Sequence, residues 1–244
     1  MKQFKITSGM IVAACILFLS SCGNNEKKSE AGTADTTATV STSDSSTSDI
    51  VTTPATILLV RHKVANFNKW KMAYEGHDSA RRASGIHNYV IGRGVNDSNM
   101  VMVATKADDI AKAKAFTKDP GLKAAMQKGG VVGAPSISLT TVVYQDMSKN
   151  MSDLRSMINF TVKDWDAWKK AFESNRQFRA DQGLTDRTYG HDVDDNHKIT
   201  LVVAINDTAK ANAYWNSNII KQKRAESGVV GEVKRFVYHV VQKY

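Results

Sequence analysis

Strand-like and helix-like hydrophobic patterns follow one another in the same order in two halves of the chain. Apolar positions alternate or run together in short stretches, and between these they recur at the three- and four-residue spacing of an amphipathic helix. The predicted opening strands are 57–64 and 155–162, the first helices 66–85 and 164–183, and the closing strands 136–144 and 233–241. Two short strands and a second helix lie between the first helix and the closing strand. Each half therefore has the order βαββαβ.

Capping residues mark the helix boundaries at equivalent places in both halves. Asn66 and Asp164 are typical helix N-caps, and Gly85 and Gly183 are typical of the position that follows a helix. In the first half the second helix is predicted to restart at Asp119-Pro120, because proline suits the first helical turn.

A shift of 98 residues aligns the two halves without a gap. Between 64–133 and 162–231, 20 of 70 positions are identical. The identical positions include Trp70/Trp168, Arg81/Arg179, Gly85/Gly183, Gly92/Gly190 and the Gly-Val-Val-Gly segments 130–133 and 228–231. Composition alone gives only a handful of identities, so the chain contains a tandem duplication.

The repeated unit resembles a known superfamily. Its βαββαβ order, the pattern W-x3-[YF] on the first helix and the Gly-Val-Val-Gly segment before the last strand are similar to those of the dimeric α/β-barrel superfamily. Relatives there include antibiotic-biosynthesis monooxygenase-like, stress-responsive and haem-handling proteins. Over residues 56–242, the resemblance implies an α+β fold in which two tandem ferredoxin-like units, 55–147 and 153–244, pack as an internal pseudo-dimeric barrel. A monomer would then be sufficient.

The first 54 residues have a different composition. Lys2 and Lys5 precede a nine-residue apolar run at 11–19, which is too short for a membrane-spanning helix but is typical of a secretory signal. The run ends in Leu-Ser-Ser-Cys, which resembles the lipobox of bacterial lipoproteins. The resemblance implies that residues 1–21 are cleaved as a signal peptide and that Cys22 is lipidated, for example with palmitate. An ordinary signal with a chance cysteine is the alternative.

Residues 22–54 are predicted to be a disordered linker that tethers the barrel to the membrane. From 29 to 53, 14 of 25 residues are Ser or Thr, too polar a composition to form a core. Because Gly23 follows Cys22, the lipoprotein resemblance favours anchoring in the outer membrane, with the periplasmic or surface leaflet left open.

Charge and cysteine content exclude several classes of function. The formal net charge of +9 is spread over mixed-sign segments without a run of basic residues, so nucleic acid is not an expected partner. Cys15 lies in the signal, which leaves Cys22 as the one cysteine of the mature chain. Intramolecular disulfides, thiolate metal clusters and a free cysteine nucleophile are therefore excluded.

The first helix of each copy places an arginine on its core-facing side. On a helical wheel centred on Trp70, His77 and Arg81 fall within the same apolar arc as Tyr74. The second copy places Asn175 and Arg179 at the corresponding positions. Three roles are open for a core-facing arginine. It extends past the helix end into solvent, it joins a structural polar network, or it lines a cavity and contacts an anionic or carbonyl-bearing ligand.

The resemblance favours a cavity, because the pockets of the superfamily lie between helices and sheet. The predicted ligand-binding residues are Trp70, Arg81, Asn175 and Arg179, and the predicted catalytic residues are His77 and Tyr74. Copy one is the better candidate for chemistry, because the imidazole of His77 exchanges protons near neutral pH and Asn175 does not. We expect a small-molecule-binding envelope lipoprotein with monooxygenase-like or isomerase-like activity. A non-catalytic envelope module that binds a protein or glycan is the alternative.

No metal or cofactor is predicted. The segment 191–197 holds two histidines and three aspartates, but its counterpart in copy one lacks the histidines, so a hairpin turn is favoured over a metal site. Haem-degrading relatives use an Asn, a Trp and a helical His. Asn159 and Trp215 are present here without a matching helical histidine, so haem is not expected.

Overall fold

The computed structural model of the chain describes residues 49–149 and 151–244. The first copy, preceded by β1 (Ile50–Val51), consists of β2 (Ala55–Val64), α1 (Phe67–Gly76), α2 (Asp78–Ala83), β3 (Ile86–Gly94), β4 (Met100–Ala107), α3 (Ile110–Phe116), α4 (Pro120–Lys128) and β5 (Val131–Asp146). The second consists of β6 (Leu154–Val162), α5 (Trp165–Ser174), α6 (Arg176–Asp181), β7 (Leu184–Asp192), β8 (Lys198–Ile205), α7 (Thr208–Trp215), α8 (Asn218–Glu226) and β9 (Val229–Lys243).

The strands β2–β9 close into one antiparallel barrel. Their order is β5-β2-β4-β3-β9-β6-β8-β7, and a further pairing of β5 with β7 completes the ring. The two copies are therefore joined twice, through β3–β9 and through β5–β7. Gly92 pairs with Val240 at the first join and Gly190 with Val142 at the second. Gly92 and Gly190 are equivalent in the two copies, as are Val142 and Val240, so the two joins are related by the internal repeat. The predicted internal pseudo-dimeric barrel is therefore confirmed.

The repeated glycines at 92 and 190 have a structural reason at these joins. A Cβ atom on Gly92 would overlap the ring of Tyr238, and a Cβ atom on Gly190 would overlap the backbone oxygen of Thr141. A side chain at either position would force the two copies apart where they share hydrogen bonds. The joins therefore explain why both copies keep glycine there.

The strand residues face two separate cores. Ile57 and Leu59 of β2 face the barrel interior, where they belong to the same cluster as Met157 and Tyr238 of the second copy. Leu58, between them, packs on the outside beneath the helices, together with Phe116. Alternation along each strand thus separates a central cavity from a helix-covered layer in each copy.

The predicted helix starts are confirmed, but the first helix of each copy is divided. The side chains of Asn66 and Asp164 cap α1 and α5, and Asp119 caps α4 as predicted. In place of a continuous helix over 66–85, α1 ends at Gly76 and α2 begins at Asp78.

A buried arginine accounts for this division. In a continuous α-helix the carbonyl of Tyr74 would accept from the amide of residue 78. Here it accepts from the amide of His77 at 3.2 Å and from Nη1 of Arg81 at 2.6 Å. In copy two the carbonyl of Phe172 accepts from Nη1 of Arg179, also at 2.6 Å. The guanidinium therefore replaces a helical hydrogen bond at the same place in both copies.

Two segments extend beyond the predicted boundaries. Ile50 and Val51, which lie within the predicted linker, form β1 and pair with the end of β5. The closing strands are longer than predicted, because Val131 and Val132 of the Gly-Val-Val-Gly segment already pair with β2. Gly133 adopts a φ of +73°, which suits the irregularity at that point of the strand.

Candidate functional sites between the helices and the sheet

Each copy encloses a cavity between its helices and the outer face of the sheet. The copy-one cavity has a volume of about 60 Å³ and is lined by residues that include Trp70, Tyr74, His77 and Arg81. The copy-two cavity has a volume of about 160 Å³ and is lined by residues that include Trp168, Phe172, Asn175 and Arg179. The structure thus places the four predicted residues of copy one around one cavity and Asn175 and Arg179 around the other.

Arg81 is held in a polar network at the wall of the copy-one cavity. Its side chain is only 4% exposed, so it does not extend into solvent past the helix end. Nε donates to Oδ1 of Asn88 at 3.0 Å, and Nη2 lies 3.4 Å from Oδ1 of Asp78. The guanidinium also lies 3.8 Å from the ring centroid of Tyr74, which stacks on Trp70 at 5.2 Å. Arg81 therefore both stabilises the helix break and forms part of the cavity wall.

The hydroxyl of Tyr74 is committed to the same network. It donates to Oδ1 of Asn88 at 2.6 Å. Burial raises the pKa of Tyr74, so its hydroxyl stays protonated near neutral pH and acts as a donor. Tyr74 therefore has a positioning role in this arrangement, unless a ligand displaces Asn88.

His77 occupies the break between α1 and α2. Its Nδ1 is buried and has no hydrogen-bond partner among the described residues. Burial, followed by the charge of Arg81, lowers the pKa of His77, so the imidazole is neutral near pH 7. A neutral imidazole with a free nitrogen at a cavity wall can accept a proton.

His62 is a second histidine of the copy-one cavity, and the sequence analysis missed it. It lies on β2, is only 4% exposed and has no partner for either ring nitrogen among the described residues. Burial lowers the pKa of His62 to about 4. Its ring centroid is 5.5 Å from that of Trp70, whereas Phe160 lies 5.4 Å from Trp168 in copy two. The offset of 98 residues aligns His62 with Phe160 and could have revealed this substitution of an imidazole for an apolar ring.

Arg179 of copy two has a stronger partner than Arg81 has. Its Nε and Nη2 donate to the two carboxylate oxygens of Asp186, at 2.8 and 2.5 Å. Asp186 is buried, as is Arg179. Asn88 is the equivalent of Asp186 in copy one, so only copy two has a buried bidentate ion pair here. Asn175 closes the same helix break and accepts a hydrogen bond from Lys223 at 2.6 Å.

Basic side chains line the copy-two cavity where copy one has apolar ones. Lys223 and Arg224 of α8 lie at its wall, and their equivalents in copy one are Ala125 and Met126. Burial lowers the pKa of Arg224, which makes no side-chain hydrogen bond to the described residues. Glu226 also lines this cavity and accepts a hydrogen bond from Gln222. The cavity therefore combines an aromatic interior with a cationic wall.

The histidine- and aspartate-rich segment forms a hairpin turn. β7 ends at Asp192 and β8 begins at Lys198, so most of segment 191–197 forms the connection between them. Within the turn, Asp195 accepts from the backbone amide of His197. In the described part of the chain, no group of three or more His, Cys, Asp or Glu residues is placed to hold a metal ion.

The predicted signal peptide (1–21), the lipidated Cys22 and most of the predicted linker lie outside the described residues. Over residues 49–149 and 151–244, no helix has the length and apolar character needed to cross a membrane.

Comparison with known proteins supports the fold. No family profile and no curated protein matches the sequence. A solved structure of an anthrone oxidase-like protein has a TM-score of 0.56 and 12% identity, with 80% of this chain and 95% of that chain covered. A protein assigned as a chlorite dismutase has a TM-score of 0.54 and 11% identity, with 78% and 96% covered. A haem-binding protein from Thermus thermophilus has a TM-score of 0.45 and 10% identity, with 79% and 94% covered. At these identities the similarity establishes the fold alone.

The prediction that haem is not expected is wrong. A protein assigned as a chlorite dismutase is among the solved structures similar to this chain, so the fold gives no ground against haem. In the copy-one cavity, His62 and His77 supply imidazole nitrogens, the donor that haem iron takes from globins and peroxidases. The cavity volume of about 60 Å³ is well below the ~300 Å³ at which ligand pockets usually begin. The imidazole nitrogens are donors of the type that haem iron binds, but the cavity in this structure is too small for haem.

Proposed function

We propose that the protein binds a small molecule with an aromatic body and an anionic group in the copy-two cavity. The observation that carries this proposal is the placement of Lys223 and Arg224 at the wall of an aromatic-lined cavity, where copy one has Ala125 and Met126. The volume of about 160 Å³ suits one aromatic ring, since apolar cavities of ~150 Å³ hold benzene. The name of the anthrone oxidase-like neighbour agrees with a small aromatic ligand.

The polar groups of the cavity suggest where the anion binds. The charge of Arg179 is already balanced by Asp186, and Lys223 donates to Asn175. Arg224 has no such partner among the described residues and lies at the same wall. An anionic group beside Arg224 would receive charge-assisted hydrogen bonds while the ring packs against Trp168 and Phe172.

Isothermal titration calorimetry with 3-phenylpropionate and its uncharged analogue 3-phenylpropanol tests the proposal. Arg224→Met, which introduces the copy-one residue, should weaken binding of the carboxylate by about tenfold and leave the alcohol unaffected. Lys170→Ala, which removes an exposed cation of α5, is the matched control and should bind like the parent. Equal affinities of the parent for acid and alcohol, or no loss in Arg224→Met, would contradict the proposal.

The alternative, a non-catalytic module whose barrel is filled with side chains, predicts closed cores. A cavity reaching His77 and Arg81 is the feature that separates a small-molecule site from such a module. The presence of this cavity, and of its larger equivalent in copy two, supports the small-molecule function.

The buried imidazole of His62 and the partly buried imidazole of His77 favour a second function for copy one. His62 and His77 are neutral and have unpartnered nitrogens, so we propose that this cavity transfers protons on a small carbonyl compound, an isomerase-like reaction. Exchange of the methyl protons of pyruvate for deuterium in D2O, followed by proton NMR, measures this activity. His77→Asn should slow the exchange, and exchange no faster than in protein-free buffer would refute the proposal.

We further propose that the protein is an envelope lipoprotein anchored through Cys22. The ordered signal sequence and the Ser/Thr-rich linker support this localisation. Acylation adds ~0.8 kcal/mol of membrane affinity per buried methylene, so two or three acyl chains would anchor the protein stably. Mass spectrometry of the native N-terminal peptide should find acylated Cys22. An intact peptide 1–21 or an unmodified Cys22 would contradict the proposal.

A further inference from the structure

The barrel interior holds a third cavity, separate from the two beneath the helices. This central cavity has a volume of about 380 Å³ and is lined by both copies. One part of its wall is apolar and includes Ile57, Leu59, Met102, Met157 and Val202. The volume lies within the ~300–1,000 Å³ range of small-molecule pockets.

Arg155 lines the central cavity without a partner for its charge. It is 4% exposed, its Nη1 is buried, and none of its nitrogens hydrogen-bonds to a described residue. The nearby carboxylate of Asp153 already forms an ion pair with Lys243 at 2.9 Å. Burying an unpaired guanidinium costs several kcal/mol. A group that balances this charge would therefore bind with a substantial gain in free energy.

Arg187 lines the same cavity and adds a second positive charge. Its Nη1 donates to the carbonyl of Ser148 at 3.0 Å and lies 3.7 Å from Oδ1 of Asp146. That oxygen already accepts from the amide and the hydroxyl of Ser148. The positive charge of Arg187 and burial both lower the pKa of Arg155, with burial the larger cause. Asp146 balances part of the charge of Arg187, so the uncompensated charge of this wall is that of Arg155, and it favours an anion beside it.

Tyrosine hydroxyls complete the polar end of the cavity. Tyr89 and Tyr238 both line it, and burial raises the pKa of each, so both remain hydrogen-bond donors. Tyr238 makes no side-chain hydrogen bond to another described residue.

The barrel fold does not itself require these arginines. The equivalent of Arg155 in copy one is Ile57, and the equivalent of Arg187 is Tyr89. Both equivalents line the same cavity, so one copy forms its part of the barrel wall without buried cations. The arginines are therefore a local specialisation of copy two.

We infer that the central cavity binds a small organic carboxylate, with its anionic group at Arg155 and Arg187 and its apolar chain against Ile57, Leu59 and Met157. Guanidinium groups match carboxylate oxygens in geometry as well as charge. This site is independent of the proposed copy-two site, because Arg224 lies on the other side of the sheet, beneath the helices.

Octanoate and 1-octanol, titrated calorimetrically into the full chain, test the inference. Octanoate should bind at least about tenfold more tightly than 1-octanol, which corresponds to one lost charge-assisted interaction. Arg155→Ile, which introduces the copy-one residue, should remove this preference. Lys170→Ala, which removes an exposed cation of α5, is the matched control and should leave octanoate binding unchanged. Arg155→Ile should keep the affinity of the parent for 3-phenylpropionate, which separates this cavity from the copy-two cavity.

Thermal unfolding of the same proteins shows whether Arg155→Ile still folds. Without ligand its melting temperature should equal or exceed that of the parent, because an unpaired buried charge is removed, and octanoate should no longer raise it. If Arg155→Ile unfolds, Arg187→Tyr provides the same test with the other copy-one residue. Octanoate that fails to bind the parent, or that binds Arg155→Ile or a folded Arg187→Tyr as tightly as the parent, would overturn the inference.

Discussion

The carboxylate of Asp186 accepts two hydrogen bonds from the guanidinium of Arg179 inside copy two, whereas Arg81 of copy one meets the neutral amide of Asn88. The acid near Arg81 is instead Asp78, on α2, and its equivalent in copy two is Arg176. The charge of the duplicated arginine is thus balanced by a carboxylate of strand β7, Asp186, in copy two and by a carboxylate of helix α2, Asp78, in copy one.

This difference predicts unequal effects of removing the two arginines. Arg179→Leu leaves the buried carboxylate of Asp186 with only the partly exposed Arg176, 3.6 Å away, as a charged partner, and should lower the free energy of unfolding by about 3 kcal/mol. Arg81→Leu leaves a neutral amide and a carbonyl without a donor, and should cost about 1–2 kcal/mol. Urea denaturation of the purified variants measures both losses. The double variant Arg179→Leu/Asp186→Leu should recover much of the larger loss, and equal losses in the two single variants would contradict the assigned roles.

The burial of His62 predicts a stability that depends on pH. Its pKa is about 4 in the folded protein, against an ordinary value of 6.5, so between these values the unfolded chain binds the additional proton. The contribution of His62 is fully present above the unfolded pKa and is lost as the pH falls towards the folded value. Between pH 7 and pH 5 the loss should be about 2 kcal/mol.

His62→Phe is the matched control for this prediction, because copy two has Phe160 at the equivalent position. Urea denaturation at pH 7 and pH 5 should show a smaller decrease in the variant than in the parent. The lowered pKa of His77 acts in the same direction, so part of the decrease should remain. An identical pH dependence of parent and His62→Phe would show that His62 titrates normally.

The glycines at the joins predict a third set of effects. Gly190→Ala places a methyl group against the backbone oxygen of Thr141, which cannot move without breaking the β5–β7 pairing. Gly92→Ala places one against the ring of Tyr238, which is a side chain. Both should lower the melting temperature, with the larger decrease for Gly190→Ala. Tyr238→Leu should relieve part of the cost of Gly92→Ala in the double variant, and additive losses would argue against this contact as the cause.

Replacing His77 with asparagine separates chemistry from folding. Copy two has Asn175 at this position, where its side-chain amide donates to the carbonyl of Ala171 at 2.8 Å and so satisfies the helix end. His77→Asn should therefore change the free energy of unfolding by no more than about 0.5 kcal/mol, the range of neutral substitutions. The proton-transfer activity proposed for copy one should fall. A large loss of stability would instead indicate a structural role for the imidazole.

Periodicity and the internal repeat predicted the two βαββαβ units, their helix caps and the core-facing positions of Arg81 and Arg179, and the resemblance to a known superfamily implied the barrel. They did not predict the break at His77, because a helical wheel contains no information on which side chain competes for a backbone carbonyl. They also missed His62, since only the helix faces were compared between the copies. Differences between the copies at strand positions, such as His62 and Phe160, matter as much as those on the helices.

The partners of strand residues were beyond sequence reasoning for a further reason. Arg155 and Arg187 are separated by 32 positions and lie on β6 and β7, the two strands that flank β8, so their proximity follows from the strand order and not from their spacing in the sequence. The carboxylate near the duplicated arginine comes from helix residue Asp78 in copy one and from strand residue Asp186 in copy two. This difference is likewise visible only in a structure, where the strand and the helix lie side by side.

Joining the two units in one polypeptide changes what mutation can achieve at the barrel axis. All neighbouring strands are antiparallel, so β2 and β6 run in the same direction and equivalent residues of the two copies lie at the same level on opposite walls of the barrel. A barrel of two identical chains would therefore carry the same two arginines on both walls. Here Arg155 and Arg187 face the interior from one copy, and Ile57 and Tyr89 from the other. At these positions copy two supplies cations and copy one uncharged side chains, so the interior is no longer symmetric and an anionic molecule entering it would be oriented by the protein in a single sense.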